Sequence, residues 1–183
     1  MGPDFLVGRG EEAYKEYQDF LLWHYTVVDA FWFIRVEEEY GLAAAEELNA
    51  RVWGKAAQLA ARQIRKRFGI PEHGGLDAFE TALAYFPWAV IVGYQPRRED
   101  GALVIEVAHC PSQEGRKRNG KGEYACKAMH MAEFSAFARE IDPAIVVTCE
   151  HAPPDPHPAE RYCRWRFTVA QGPTGPSTKG ADE

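Results

Sequence analysis

The chain has 183 residues and a formal net charge of −6, with 46% hydrophobic and 26% charged residues. That is the size and composition of one ordinary globular domain with a real core. The acidic balance argues against nucleic acid as a partner. No window reaches the ~18 to 20 apolar residues of a membrane-spanning helix. No basic region followed by an apolar run opens the sequence, so no secretory signal is expected. The compartment predicted is therefore the reducing cytoplasm, where structural disulfides are rare.

Residues 1–10 read as a loosely held leader. From Glu11 to Glu39, Tyr14, Tyr17, Leu21, Val28, Trp32 and Val36 recur at helical spacing, with His24 and Tyr25 filling the gap, and predict a long amphipathic helix. Asp29 shares a row with Tyr25, Phe33 and Glu37, so its carboxylate stands among rings. It is either hydrogen-bonded to a neighbouring helix or a base or ligand anchor with a raised pKa. Gly41 is a natural C-cap. A second helix, Leu42 to Phe68, places Ala45, Leu48, Val52, Ala56, Leu59 and Gln63 on one side. It closes on the cations Arg62, Arg65, Lys66 and Arg67, which oppose the negative end of its dipole. A third, short helix spans Leu76 to Tyr85, stopped by Pro87.

The pattern then changes. Trp88 to Tyr94 is a short apolar run and Leu103 to Cys110 a strand, with turn chemistry at Arg97 to Gly101 between them, so a hairpin is expected. A basic loop, Pro111 to Gly122, precedes a helix over Glu123 to Ile141. Ile145 to His151 alternates as a strand, and the proline-rich segment Ala152 to Pro158 cannot be regular. The last strand turns Cys163, Trp165, Phe167 and Val169 inward. Residues 171–183 read as a disordered tail. The expectation is a single α+β domain over residues 11–170, with N-terminal helices, a mostly antiparallel four-stranded sheet (β-β-α-β-β) and helices packed on one face.

All four cysteines, Cys110, Cys126, Cys149 and Cys163, fall in the C-terminal half. Cys126 and His130 lie one helical turn apart on the inner side of their helix, close enough to share a metal or a proton. A thiol near a helix N-terminus is expected to have a lowered pKa. Four explanations compete. Disulfides are disfavoured by compartment. Core filling suits Cys149 and Cys163, since free cysteine is commonly buried. A zinc site from Cys126, His130, Cys110 and Cys163 is chemically reasonable, although no Cys-x-x-Cys spacing exists. A nucleophilic thiol, Cys126 beside His130 or Cys110 near Arg116 and Arg118, has electropositive surroundings.

One wider pattern joins these residues. Trp32 through Glu37 with Gly41, then Cys110, Arg118, Gly122, Cys126, Pro143, Cys149, Pro153, Pro154, Cys163, Trp165 and Phe167, resembles a group of bacterial cytosolic proteins of unknown function. That group is similar in turn to the L-2-amino-thiazoline-4-carboxylic acid hydrolase family. The resemblance runs from about Trp23 to Val169, with a more distant likeness to the 4-vinyl reductase type of small-molecule-binding domain. It implies an α+β fold with a closed small-molecule pocket and a thiol-bearing C-terminal half.

Together these readings predict a small-molecule enzyme of hydrolase type acting on a carboxylate-bearing or heterocyclic substrate, with no cofactor. The pocket is expected between the first helix and the inner sheet face, walled by Trp32, Phe33, Trp165 and Phe167. Cys126 or Cys110 attacks, His130 or Asp29 moves protons, Cys163 is a further pocket group, and Arg118 binds a carboxylate. The alternative is a non-catalytic module that holds zinc or a small ligand through the same cysteines. A homo-oligomer is compatible with either.

Overall fold

The computed structural model describes residues 4–170. A 3-10 turn at Asp4–Leu6 buries Leu6 and sets the Phe5 ring edge-on to Tyr17 at 5.2 Å; residues 171–183, expected as a tail, lie outside the described residues. Helix α1 (Glu11–Tyr40) and helix α2 (Leu42–Phe68) are separated by Gly41 alone. Gly41 adopts φ 84 and ψ 163, a region essentially restricted to glycine, and the chain folds back there. The hairpin is held by Trp53 Nε1, which donates to Asp29 Oδ1 at 3.1 Å.

Two short helices follow, α3 (Gly75–Leu83) and α4 (Pro87–Val92). The second corrects the strand expected at Trp88 to Tyr94. A six-residue apolar run carries no decisive period, and its flanks settle the matter: Pro87 starts a helix and Gly93, in the left-handed region, stops it. The hairpin forms one step later, between β1 (Arg97–Glu99) and β2 (Ala102–Val107). Asp100 and Gly101, both at positive φ, make its turn. The basic segment expected as a loop begins as helix α5 (Pro111–Arg118), again with proline in its first turn. Helix α6 (Lys127–Ile141), β3 (Ile145–His151) and β4 (Cys163–Val169) complete an α+β fold of six helices and one open antiparallel sheet, in the order β1-β2-β4-β3.

The core sits between this sheet and α6. Leu103 and Ile105 of β2 with Trp165 and Phe167 of β4 are fully buried, as are Phe134 and Phe137 of α6. Phe134 is edge-on to Trp165 at 5.2 Å and to Phe167 at 5.3 Å. Helix α2 lies close on α6 because small residues meet there: a Cβ added at Gly54 would stand 3.3 Å from that of Ala132. The opposite sheet face is ionic. Arg164 bonds Glu99, Glu106 and Glu150, while Arg166 reaches Glu150 at 2.7 Å and Arg97 reaches Glu106 at 2.7 Å.

The long helices turn a different side inward from the one their strongest stripe predicted. On α1, Tyr14, Leu21, Val28 and Trp32 are exposed, and the inner row is Tyr25, Asp29, Phe33 and Glu37. On α2, Leu48, Val52 and Leu59 are exposed, whereas Ala45, Trp53, Ala57, Ala61 and Ile64 are buried. Each helix carries two apolar rows, and close approach to α6 selects the alanine-rich one. Among the described residues no helix is long and apolar enough to cross a membrane.

Candidate functional site

A cleft of about 110 Å³ opens between α1 and α5, with one residue of α2, Asn49, in its lining. A cavity of about 150 Å³ accepts benzene, so a ligand held wholly in this space is no larger than a single small ring. Phe33, Ile34 and Tyr124 supply apolar wall, Ser112 and Asn49 hydroxyl and amide groups, and Asp29 a carboxylate. The bond from Trp53 fixes Asp29 Oδ1, leaving Oδ2 without a protein partner among the described residues. Burial pushes the Asp29 carboxyl up to about 6, opposed by the Trp53 hydrogen bond and aided by the charge of Glu133. A carboxyl that titrates near neutrality can take and return a proton. Of the two readings the sequence left open, the structure makes the first true and supplies the raised pKa of the second.

Arg116 and Lys121 form the cationic edge. Arg116 is buried, donates from Nη1 to Glu37 at 2.6 Å and from Nε to the Gly122 carbonyl at 3.0 Å, and lies over the rings of Phe33 and Tyr124. Lys121 reaches the same Glu37 at 3.1 Å, so two cations share one carboxylate at the cleft edge. Arg118, expected to bind a carboxylate, is exposed and does not line the cleft. With 3.6 residues per turn, a shift of two positions reverses the face, and the sequence of three basic residues did not reveal which one turns in.

Beyond the cleft lies a cluster of buried polar side chains. His130 Nδ1 and Glu133 Oε2 are 2.6 Å apart, both groups buried. Glu133 Oε1 and Trp165 Nε1 are buried without a hydrogen-bond partner among the described residues. Burial raises the hydroxyls of Tyr94 and Tyr124 well above their usual range, with Glu133 contributing to both. Tyr25 is pushed up to about 12, by burial and then by Asp29 and Glu133. Glu133 was missed in the sequence, although it follows His130 by three positions on the same helical face. Gln113 was missed as well. Fully buried, it donates to the Tyr124 carbonyl at 3.0 Å and to Cys126 Sγ at 3.4 Å, and accepts from the Tyr124 amide at 3.2 Å.

The thiols gather in this region, and burial raises each of them. Cys126 is the N-cap of α6, where a lowered pKa was expected; burial instead pushes it up to about 12, assisted by Cys110. Cys163 is raised further by burial and by Cys126, and Cys149 rises to about 11 through burial. Cys110 is raised by burial, against the pull of the Gln113 and Ser112 amides. Desolvation outweighs the helix end because the sulfurs sit among rings, not water. Register pairs Cys149 with Trp165 and Cys163 with Val107, so Cys149 and Cys163 are not cross-strand neighbours. All four are free thiols. The zinc set of Cys126, His130, Cys110 and Cys163 is not formed: among the described residues no three His, Cys, Asp or Glu side chains converge as a metal-holding group. His130 faces Glu133 instead.

The expected pocket walls also move. Of Trp32, Phe33, Trp165 and Phe167, only Phe33 lines the cleft. Trp32 is 68% exposed, and Trp165 and Phe167 belong to the core. The structure thus brings Asp29, Phe33 and Arg116 together at an open cleft, with Cys110 adjoining its lining residue Pro111. Cys126, His130 and Cys163 lie in the closed region behind.

The chain belongs to a family of unknown function, DUF6125, whose model matches residues 18–169. No curated protein and no solved structure was found to match it. The DUF6125 match begins within α1 and ends with β4, so it takes in Asp29, the whole cleft and the thiols.

Proposed function

We propose that the chain is a small-molecule enzyme of hydrolase type, acting on a carboxylate-bearing ring compound held in the α1–α5 cleft. The observation that carries this reading is Asp29: a carboxylate raised to about 6, fixed through one oxygen by Trp53, in a cleft of ring-sized volume. The resemblance to L-2-amino-thiazoline-4-carboxylic acid hydrolase supplies the substrate class, a five-membered ring with a C=N bond and a carboxylate. Ionised Asp29 takes a proton from water as the water oxygen bonds to the C=N carbon. Asp29 passes that proton to the ring nitrogen, and the carbon–sulfur bond then opens as the new hydroxyl becomes a carbonyl and its proton goes, through Asp29, to the departing sulfur. The shared Arg116–Lys121 edge attracts the substrate carboxylate, and Phe33 and Tyr124 cover the ring. Attack by water activated at Asp29 replaces attack by Cys126, whose thiol is buried and raised.

The test is turnover of the thiazoline carboxylate and related ring carboxylates by the full chain. Activity is expected to rise with pH through about 6, because the base must be ionised. Asp29→Asn is expected to lower kcat roughly 100-fold or more, the scale of general base catalysis. Full activity in Asp29→Asn would defeat this reading. A second reading is favoured by the four raised thiols: a non-catalytic module binding the same ligands in the same cleft. Calorimetric binding that needs Arg116, without turnover at any pH, would favour it.

A further inference from the structure

Helix α1 has thirty residues and none is fully buried. Much of its surface is uncovered, and an apolar stripe runs along that surface. Leu21, Val28 and Trp32 recur along it, and on α2 Leu48, Val52 and Leu59 do the same; all six are exposed. The spacing of seven between Leu21 and Val28, and again between Val52 and Leu59, is that of a helix–helix seam. These residues are the stripe that sequence periodicity alone assigns to a core. In one chain they have no core to enter.

We propose that this face of the α1–α2 hairpin binds a second copy of the chain, forming a four-helix bundle about a two-fold axis. The area of the face selects a second copy. The six side chains and the flanking Tyr14, Phe20 and Phe31 expose on the order of 900 Å² per copy, taking about 150–250 Å² for each whole aromatic side chain. A standard interface uses about 800 Å² per partner, and the largest apolar patch of a typical monomer is about 300–600 Å².

A two-fold axis along the hairpin sets α1 of one copy antiparallel to α2 of the other. Each α1 stripe then meets its partner's α2 stripe, and both contacts occur twice, as an isologous interface requires. The cleft opens between α1 and α5, on a different side of α1, through Ala30, Phe33 and Ile34, so association leaves it free.

Sedimentation velocity and light scattering of the full chain test this directly. The expected mass is twice 20.6 kDa. The double variant Val28→Glu, Trp32→Glu is expected to weaken association roughly 30-fold or more, the size of a hot-spot loss, with an unchanged far-UV spectrum. Should that variant fold poorly, Val52→Glu with Leu59→Glu on the exposed α2 stripe provides the second arm and is expected to weaken the dimer roughly 30-fold as well. A mass of 20.6 kDa at every micromolar concentration, or a dimer indifferent to both sets of changes, overturns the proposal.

Discussion

Helices α6 and α1 make opposite use of the same kind of sequence. Helix α6 is fifteen residues long and buries seven of them, including His130 and Glu133. Helix α1 is twice that length and buries none. Both are amphipathic by spacing. The difference lies in what each helix finds to cover it: α6 has the sheet on one side and α2 on another, whereas α1 meets α2 along one row only. An apolar stripe therefore states that a face wants covering and leaves open what covers it.

The largest effect should fall in α6. Phe134→Ala removes a fully buried ring packed on Trp165 and Phe167, and chemical denaturation is expected to show a loss of about 3–5 kcal/mol. Trp23→Ala on α1, an exposed ring outside the proposed dimer stripe, should change stability by less than about 0.5 kcal/mol. Equal losses at the two positions would break the comparison.

Asp29 is the polar point at which α1 enters the interior. Its folded carboxyl is raised, so the ionised form is penalised by folding. The penalty is absent below 3.8, grows as pH rises to about 6, and is constant above. Asp29→Asn keeps an acceptor for Trp53 and should gain up to about 3 kcal/mol at neutral pH, even as it lowers the proposed turnover. Denaturation curves at several pH values check both the sign and the window.

Two smaller tests concern the outer side of the C-terminal half. Arg164→Ala leaves Glu99, Glu106 and Glu150 facing one another and is expected to cost roughly 1–3 kcal/mol, less at high salt. His157 is raised by its bond to Glu123 at 3.0 Å. Its contribution is present below 6.5 and lost as pH rises through the folded value. His157→Gln should remove that dependence, by about 0.5 kcal/mol at most.

Much of the fold was legible where two signals agreed. The alternation of Cys163, Trp165 and Phe167 with Arg164 and Arg166 marked an inner and an outer face of β4, and both faces exist. The ends of α2 were marked by Gly41 and Gly69. The run at Trp88 was not legible by period, and only Pro87 and Gly93 identify it as helix. The site was legible through Asp29, a carboxylate in a row of rings. It was obscured at Arg116 and Arg118, where neighbouring cations differ only in the face they occupy. The thiols misled because helix-end chemistry was weighed without desolvation, which burial of Cys126 and Cys163 makes dominant.

The one-residue turn at Gly41 has a metrical consequence. Asp29 and Trp53 are each twelve residues from it, so at 1.5 Å per residue both stand about 18 Å along their helices and meet level. The hairpin works as a calliper with its arms cut to equal length. Inserting one residue in either arm before the bond would raise that arm by about 1.5 Å and swing its contact about 100° around the axis. Trp53 would then close on a neighbour of Asp29, and the carboxylate would leave the cleft. The catalytic geometry of the proposed enzyme is thus set by counting, in a part of the chain remote from the chemistry.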